Sequence, residues 1–258
     1  MSARGVAAAA LAAATLALLA AGCGGGQGGG DRPSLTVSAA ASLQQAFDRY
    51  GSDFRPATVH AQFAGSDELA AQIRQGVRPD VFAAANTALP QALYDEGLVE
   101  KPVVFAGNRL VLAVPADGRI RSLGDAARAG VTLAVGAPGV PVGDYTQKVL
   151  ARLPAAERKA LLDNVRTREP DVKGVVGKLL HGAVDAGFVY VTDVRAAGAK
   201  LRAVALPDRL QPTVAYAAAV VKGSAHVATA RAFLAGLLHG PGRTALRDAG
   251  FEPPPHAR

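Results

Sequence analysis

The chain has 258 residues, with 28 Lys and Arg against 21 Asp and Glu for a formal charge of +7, one cysteine and no tryptophan. A single cysteine excludes any internal disulfide, so stability must come from burial. The basic residues are scattered (Arg74, Arg121, Arg152, Lys173) and carry no interleaved aromatic residues, which argues against a nucleic-acid-binding surface.

Met1 to Arg4 supplies one positive charge, Val6 to Ala21 is almost unbroken Ala and Leu, and Leu19-Ala20-Ala21-Gly22-Cys23 resembles a bacterial lipobox. The apolar run is short for a membrane span and ends in small residues, the layout of a lipoprotein signal peptide over residues 1–22. Cys23 is then the lipidated residue, and its two acyl chains anchor the secreted chain on the outer face of the cytoplasmic membrane. Ala20 stands where lipoboxes usually carry Leu. The other reading of the same residues is ordinary signal-peptidase cleavage beside an incidental cysteine. Residues 23–33, dominated by Gly, read as a flexible tether, and no later run is long and apolar enough to span a membrane.

From Ser34 the chain alternates short β-type runs with amphipathic helical ones. Ser34 to Ala41, Val59 to Phe63 and Asp80 to Ala85 read as strands. Each is followed by a helix, over Ser42 to Tyr50, Asp67 to Gln75 and Leu89 to Glu96. This βαβαβα order predicts a parallel sheet with helices on its faces. A second α/β run follows: strand Arg109 to Pro115, helix Ser122 to Ala129, strand Leu133 to Val135, helix Tyr145 to Arg152 and strand Val184 to Tyr190. Strand Val214 to Val221 and two helices, Ala225 to Leu238 and Gly242 to Ala249, complete it. The expected fold is α/β with two lobes, each a mostly parallel sheet flanked by helices. Residues 34–107 form the first lobe and 108–212 the second, and 213–258 return to the first.

Ligands of open α/β sheets sit beyond the carboxyl ends of strands, where helix N-termini point. Three strand-to-helix junctions carry suitable chemistry. Ala39-Ala40-Ala41-Ser42-Leu43 and Phe63-Ala64-Gly65-Ser66-Asp67 each place a serine hydroxyl among small residues, and Gly136 to Tyr145 is a Gly/Pro-rich loop opening onto a helix. Taken singly, Ser42 and Ser66 read as helix N-caps; taken together, they read as neutral donors for an oxyanion. No Gly-x-Ser-x-Gly elbow, His-Glu-x-x-His, Walker loop or Cys/His metal spacing is present, and His60, His181, His226, His239 and His256 stand alone. Covalent catalysis is therefore not expected, and neither is a bound cofactor or bare metal ion.

From Leu35 to Phe251 the chain resembles the molybdate-binding proteins of ABC importers, which have the type II solute-binding fold. The resemblance is carried by Ala39-Ala-Ala-Ser42-Leu43, Phe63-x-x-Ser66-x-x-Leu69-x-x-Gln72-Ile73-x-x-Gly76 and Pro79-Asp80-Val-Phe82-Ala-x-Ala85. It continues through Asn108-x-Leu110-Val111-Leu112-x-Val114-Pro115, Pro141-x-Gly143-x-Tyr145 and Gly187-x-Val189-Tyr190-x-x-Asp193, and ends with Ala232-Phe233-Leu234 and Gly250-Phe251.

The resemblance implies a monomeric receptor that captures molybdate or tungstate and delivers it to an ABC permease. Its oxyanion contacts would be the hydroxyls of Ser42, Ser66 and Tyr190 with the backbone N–H groups of Val142 and Val172. With contacts on both lobes, binding would close the cleft. Asp67, Glu68 and Asp144 depart from the family pattern. They are expected to point outward from helix first turns, where they favour the macrodipole; facing inward, one would accept the proton of a ligand such as hydrogen phosphate. The alternatives are a receptor for sulfate or phosphate, and a binding-fold enzyme or sensor ectodomain.

Overall fold

The computed structural model describes residues 32–255; the signal peptide, Cys23 and most of the tether lie outside them. Strand β1 (Ser34–Ala40) leads through a 3-10 turn (Ala41–Leu43) into α1 (Gln44–Asp53), and β2 (Thr58–Ala64), α2 (Ser66–Arg74), β3 (Val81–Ala84) and α3 (Ala88–Asp95) follow. Next come β4 (Val103–Asn108), β5 (Leu110–Pro115), α4 (Leu123–Ala126), β6 (Leu133–Gly136), α5 (Pro141–Ala151) and α6 (Ala155–Asp163). The remainder is β7 (Val165–Glu169), α7 (Val172–Leu180), β8 (Ala186–Tyr190), α8 (Val191–Ala197), β9 (Leu201–Ala205), β10 (Val214–Val220), α9 (Val227–His239) and α10 (Pro241–Ala249).

Two five-stranded sheets result, ordered β2-β1-β3-β10-β4 and β7-β6-β8-β5-β9. The chain leaves the first sheet after Asn108, enters the second at Leu110, and is back in the first at Val214. Each sheet is mixed but mostly parallel: four of its five strands run one way, and β10 in the first sheet and β5 in the second run against them. Three neighbouring strands pair in parallel, with Ser34–Ala40 in register with Thr58–Ala64 and Val37 opposite Val81. The other pairings, such as Ala217 with Ala84 and Leu110 with Tyr190, are antiparallel. The physical reason is connectivity: β10 and β5 are the strands by which the chain arrives from the other sheet, so no βαβ crossover fixes their direction.

The central strands are apolar on both faces, as burial under helices on both sides requires. Every residue of β3 and β10 is buried, whereas edge strand β2 alternates between exposed and partly covered. The aromatic core of the first lobe forms around α1, where the Tyr50 and Phe233 rings lie 4.6 Å apart and the Tyr50 hydroxyl donates to the Phe233 carbonyl at 3.1 Å. These contacts dock α9 and α10 against α1 and so return the C-terminus to the first sheet.

Four elements differ from their expected bounds in ways that matter to the site. The helix expected from Tyr145 begins at Pro141, whose fixed φ suits a first helical position. Ser66 is the first residue of α2 rather than the residue before it. Ser42 sits in the 3-10 turn ahead of α1, and α7, which begins at Val172, was not anticipated.

Candidate functional site

Within each sheet the parallel strands point their carboxyl ends the same way, so the junctions that follow them gather at one edge. The edges of the two sheets face each other across a small cavity. The first lobe contributes Ala40 to Ser42, Ala64 to Ser66 and Ala85; the second contributes Val140 to Val142, Asp171, Val172 and Tyr190. All five expected positions, Ser42, Ser66, Val142, Val172 and Tyr190, line this one cavity, and all are buried. The lobes meet over it closely enough that a Cβ on Gly65 would fall 2.6 Å from the Pro170 carbonyl oxygen, which only glycine allows.

The cavity is about 20 Å³, on a scale where a single water needs roughly 10–15 Å³. Its size suits one compact group of a few heavy atoms. Among the described residues no lysine or arginine lines it. Its polarity comes from hydroxyls and from the first turns of α2, α5 and α7, where backbone N–H groups have no intrahelical acceptor and the macrodipole is positive. Asp171, the only carboxylate in the lining, is committed to capping: its Oδ1 accepts from the Gly174 N–H at 2.9 Å.

Neither serine acts as a helix cap. The residue ahead of each helical segment is Ala40 or Gly65, and neither position has a side-chain cap bond. The Ser42 hydroxyl lies 2.9 Å from the Tyr216 hydroxyl, and the Ser66 oxygen accepts from the Ala85 N–H at 3.1 Å. Tyr190 is only 1% exposed and its hydroxyl has no hydrogen-bond partner. Burial pushes this phenol well above its usual pKa, which keeps it a protonated donor. Tyr216 lies near enough to oppose its ionisation further. A buried hydroxyl without a partner costs on the order of 1–3 kcal/mol, a cost that a polar occupant of the cavity would remove.

Behind Tyr190 lies a buried carboxylate that sequence reasoning passed over. Asp193 is 1% exposed, its Oδ2 accepts from the Tyr190 backbone N–H at 3.2 Å, and the Lys173 ammonium stands 3.4 Å from its Oδ1. Desolvation pushes its pKa up to about 6, with Lys173 opposing the rise. The three acidic residues that break the family pattern stay out of the lining. Glu68 is exposed and accepts from Gln72, and Asp144 turns back to accept from the Gly139 N–H at 3.0 Å. Asp67 is half-buried, with its Oδ1 enclosed without a partner beside Gly65.

Comparison with known proteins places this geometry in a family. The model for bacterial extracellular solute-binding proteins matches residues 35–252, and the chain belongs to that family. It is 36% identical over 228 residues to the molybdate-binding protein ModA of Mycobacterium tuberculosis, covering 86% of this chain and 85% of that one. The substrate-binding domain of a putative molybdenum ABC transporter from Clostridium difficile is 28% identical with a TM-score of 0.66, covering 85% of this chain and 98% of that one. The periplasmic molybdate-binding protein of Azotobacter vinelandii superimposes with a TM-score of 0.77 at 21% identity, covering 86% and 100% of the two chains, and this last likeness supports the fold alone.

Proposed function

We propose that this extracellular solute-binding protein captures molybdate, and tungstate with it, and presents the ion to the permease of an ABC importer. The observation that carries the reading is the lining of the cavity: three hydroxyls and three helix first turns, with no side-chain cation. Such a set is rich in donors, and its one carboxylate, Asp171, is committed to capping. It suits a fully deprotonated tetrahedral oxyanion, which needs donors only. The cavity size agrees, as does the 36% identity to a molybdate-binding relative over 228 residues. The Ser42, Ser66 and Tyr190 hydroxyls and the Val142 and Val172 N–H groups hold the ion in this reading. Both lobes contribute, so the full set of bonds forms only when the cleft is shut. The chain acts as a monomer without cofactor or covalent chemistry, held at the membrane through lipid on Cys23.

A thermal-shift and titration panel over molybdate, tungstate, sulfate and phosphate tests the reading. Molybdate at about a thousand times its dissociation constant stabilises by roughly 4 kcal/mol, a rise of about ten degrees for a chain of this size. Ser66→Ala and Tyr190→Phe each weaken binding by roughly ten- to a hundredfold while the apo protein stays folded. An equal response to sulfate would make the protein a general oxyanion receptor, and parent-like binding by both variants would put the site elsewhere.

A further inference from the structure

The polar atoms behind Ser42 form a chain whose donor directions are fixed. Asn108, the last residue of β4, accepts from the Arg109 backbone N–H through its side-chain oxygen at 2.9 Å. That bond settles which end of the amide is which, so the amide nitrogen faces the other way, 3.0 Å from the Thr192 hydroxyl and 3.3 Å from the Tyr216 hydroxyl. An amide nitrogen can only donate. Tyr216 therefore accepts from Asn108, and its own proton has one acceptor in hydrogen-bonding reach, the Ser42 oxygen at 2.9 Å. Asn108, Thr192, Tyr216 and Ser42 are all buried, so water does not offer an alternative, and a stranded phenolic proton would carry the cost of an unmade bond. With its oxygen occupied as an acceptor, Ser42 has its own proton left over.

We infer that Asn108 and Tyr216 are positioning residues that turn the Ser42 proton into the cavity, making the site selective for oxyanions that carry no proton. The inference rests on reading the cavity as an oxyanion site and adds residues that do not touch the ion. The same polarity is set at Ser66 by a backbone group, because the Ala85 N–H occupies its oxygen. The Ser42 and Ser66 protons are then both directed at the cavity, so a fully ionised oxyanion finds two oriented donors, whereas hydrogen phosphate brings a proton of its own against them.

The test is a double-mutant cycle on the full mature chain, titrated with molybdate. Tyr216→Phe keeps the ring in place and removes the relay, so binding weakens by about tenfold in the parent background. In the Ser42→Ala background the same change has nothing to orient and alters affinity by less than about twofold. A packing role for Tyr216 would give the same loss in both backgrounds. Asn108→Asp replaces the donor with an acceptor, reverses the chain, and lowers the preference for molybdate over hydrogen phosphate at pH 7. Equal losses in the two backgrounds, or parent-like affinity in Tyr216→Phe, overturn the inference while leaving the oxyanion reading intact. Absence of saturable binding of any tetrahedral oxyanion by the parent overturns both.

Discussion

Replacing Gly143 with alanine tests whether the first turn of α5 is held where the site needs it. Gly143 packs against the end of β6 by direct backbone contact: a Cβ there would fall 2.1 Å from the Ala137 carbonyl oxygen and 2.6 Å from the Gly136 oxygen, where real Cβ atoms essentially never approach within 3.0 Å. The obstacle is backbone and cannot swing aside, so the helix start must retreat by roughly 1 Å, an overpacking that costs about 1–3 kcal/mol. The Val142 N–H moves with it, and a hydrogen bond stretched by roughly 1 Å from about 2.9 Å is lost. Gly143→Ala is therefore expected to lower the apo melting temperature by several degrees and to weaken oxyanion binding by roughly ten- to a hundredfold. Gly177→Ala in α7 is the control, because a Cβ at that position meets nothing within 4 Å. Alanine is the better helix former by about 1 kcal/mol, so this variant should melt slightly higher and bind like the parent. Scanning fluorimetry and isothermal titration of both variants decide the matter. A Gly143→Ala protein that binds as tightly as the parent would remove the first turn of α5 from the ligand shell.

Asp193 gives the protein a pH dependence of defined sign. Its folded pKa of about 6 lies above the ordinary 3.8, so the native state holds this proton more tightly than the unfolded chain, and the stabilisation, worth about 3 kcal/mol, is full below pH 4 and lost as pH rises through 6. Subtracting the stability of Asp193→Asn from that of the parent at pH 5 and pH 7 isolates the effect, since the opposite contribution of Asp80, whose hydrogen bonds hold its pKa down, is common to both; a difference independent of pH refutes it. At the other end of the chain, Cys23→Ala in a bacterial host should move the protein from the membrane fraction to the soluble one, and unchanged fractionation would defeat the lipid anchor.

Residues 34–95 were legible because each strand is a short apolar run closed by turn residues and each helix has one apolar face. The second lobe shows β5, α4, β6, α5 and β8 equally well but hides the rest. Strand β7 reads Val-Arg-Thr-Arg-Glu, a partly exposed edge with little apolar content, and α6 buries only Leu161, so neither produces a clear period. Strand direction was legible where a helix joins successive strands, as in β1, β2 and β3, but not at β10: the run Val214 to Val220 marks a strand equally well either way, and its antiparallel insertion between β3 and β4 is set by a connection from the other lobe.

At the site, Ser42 and Ser66 were visible because a hydroxyl among small residues at a strand-to-helix junction is chemically distinct. Val142 and Val172 were not, since a backbone N–H can be offered by almost any residue, and only family resemblance marks them. Tyr216 had a signal that went unread: it is the one polar side chain in an otherwise Ala and Val strand that is wholly buried, and a tyrosine there needs a partner for its hydroxyl. The lack of lysine and arginine in the lining follows from the same physics. A cation in so small and buried a space would stand uncompensated whenever the cavity was empty, and an unpaired buried charge costs several kcal/mol. Hydroxyls and helix first turns lose far less when unoccupied. In the closed cleft their summed donors can still replace the hydration of a dianion, so binding and release are governed by whether the two lobes meet.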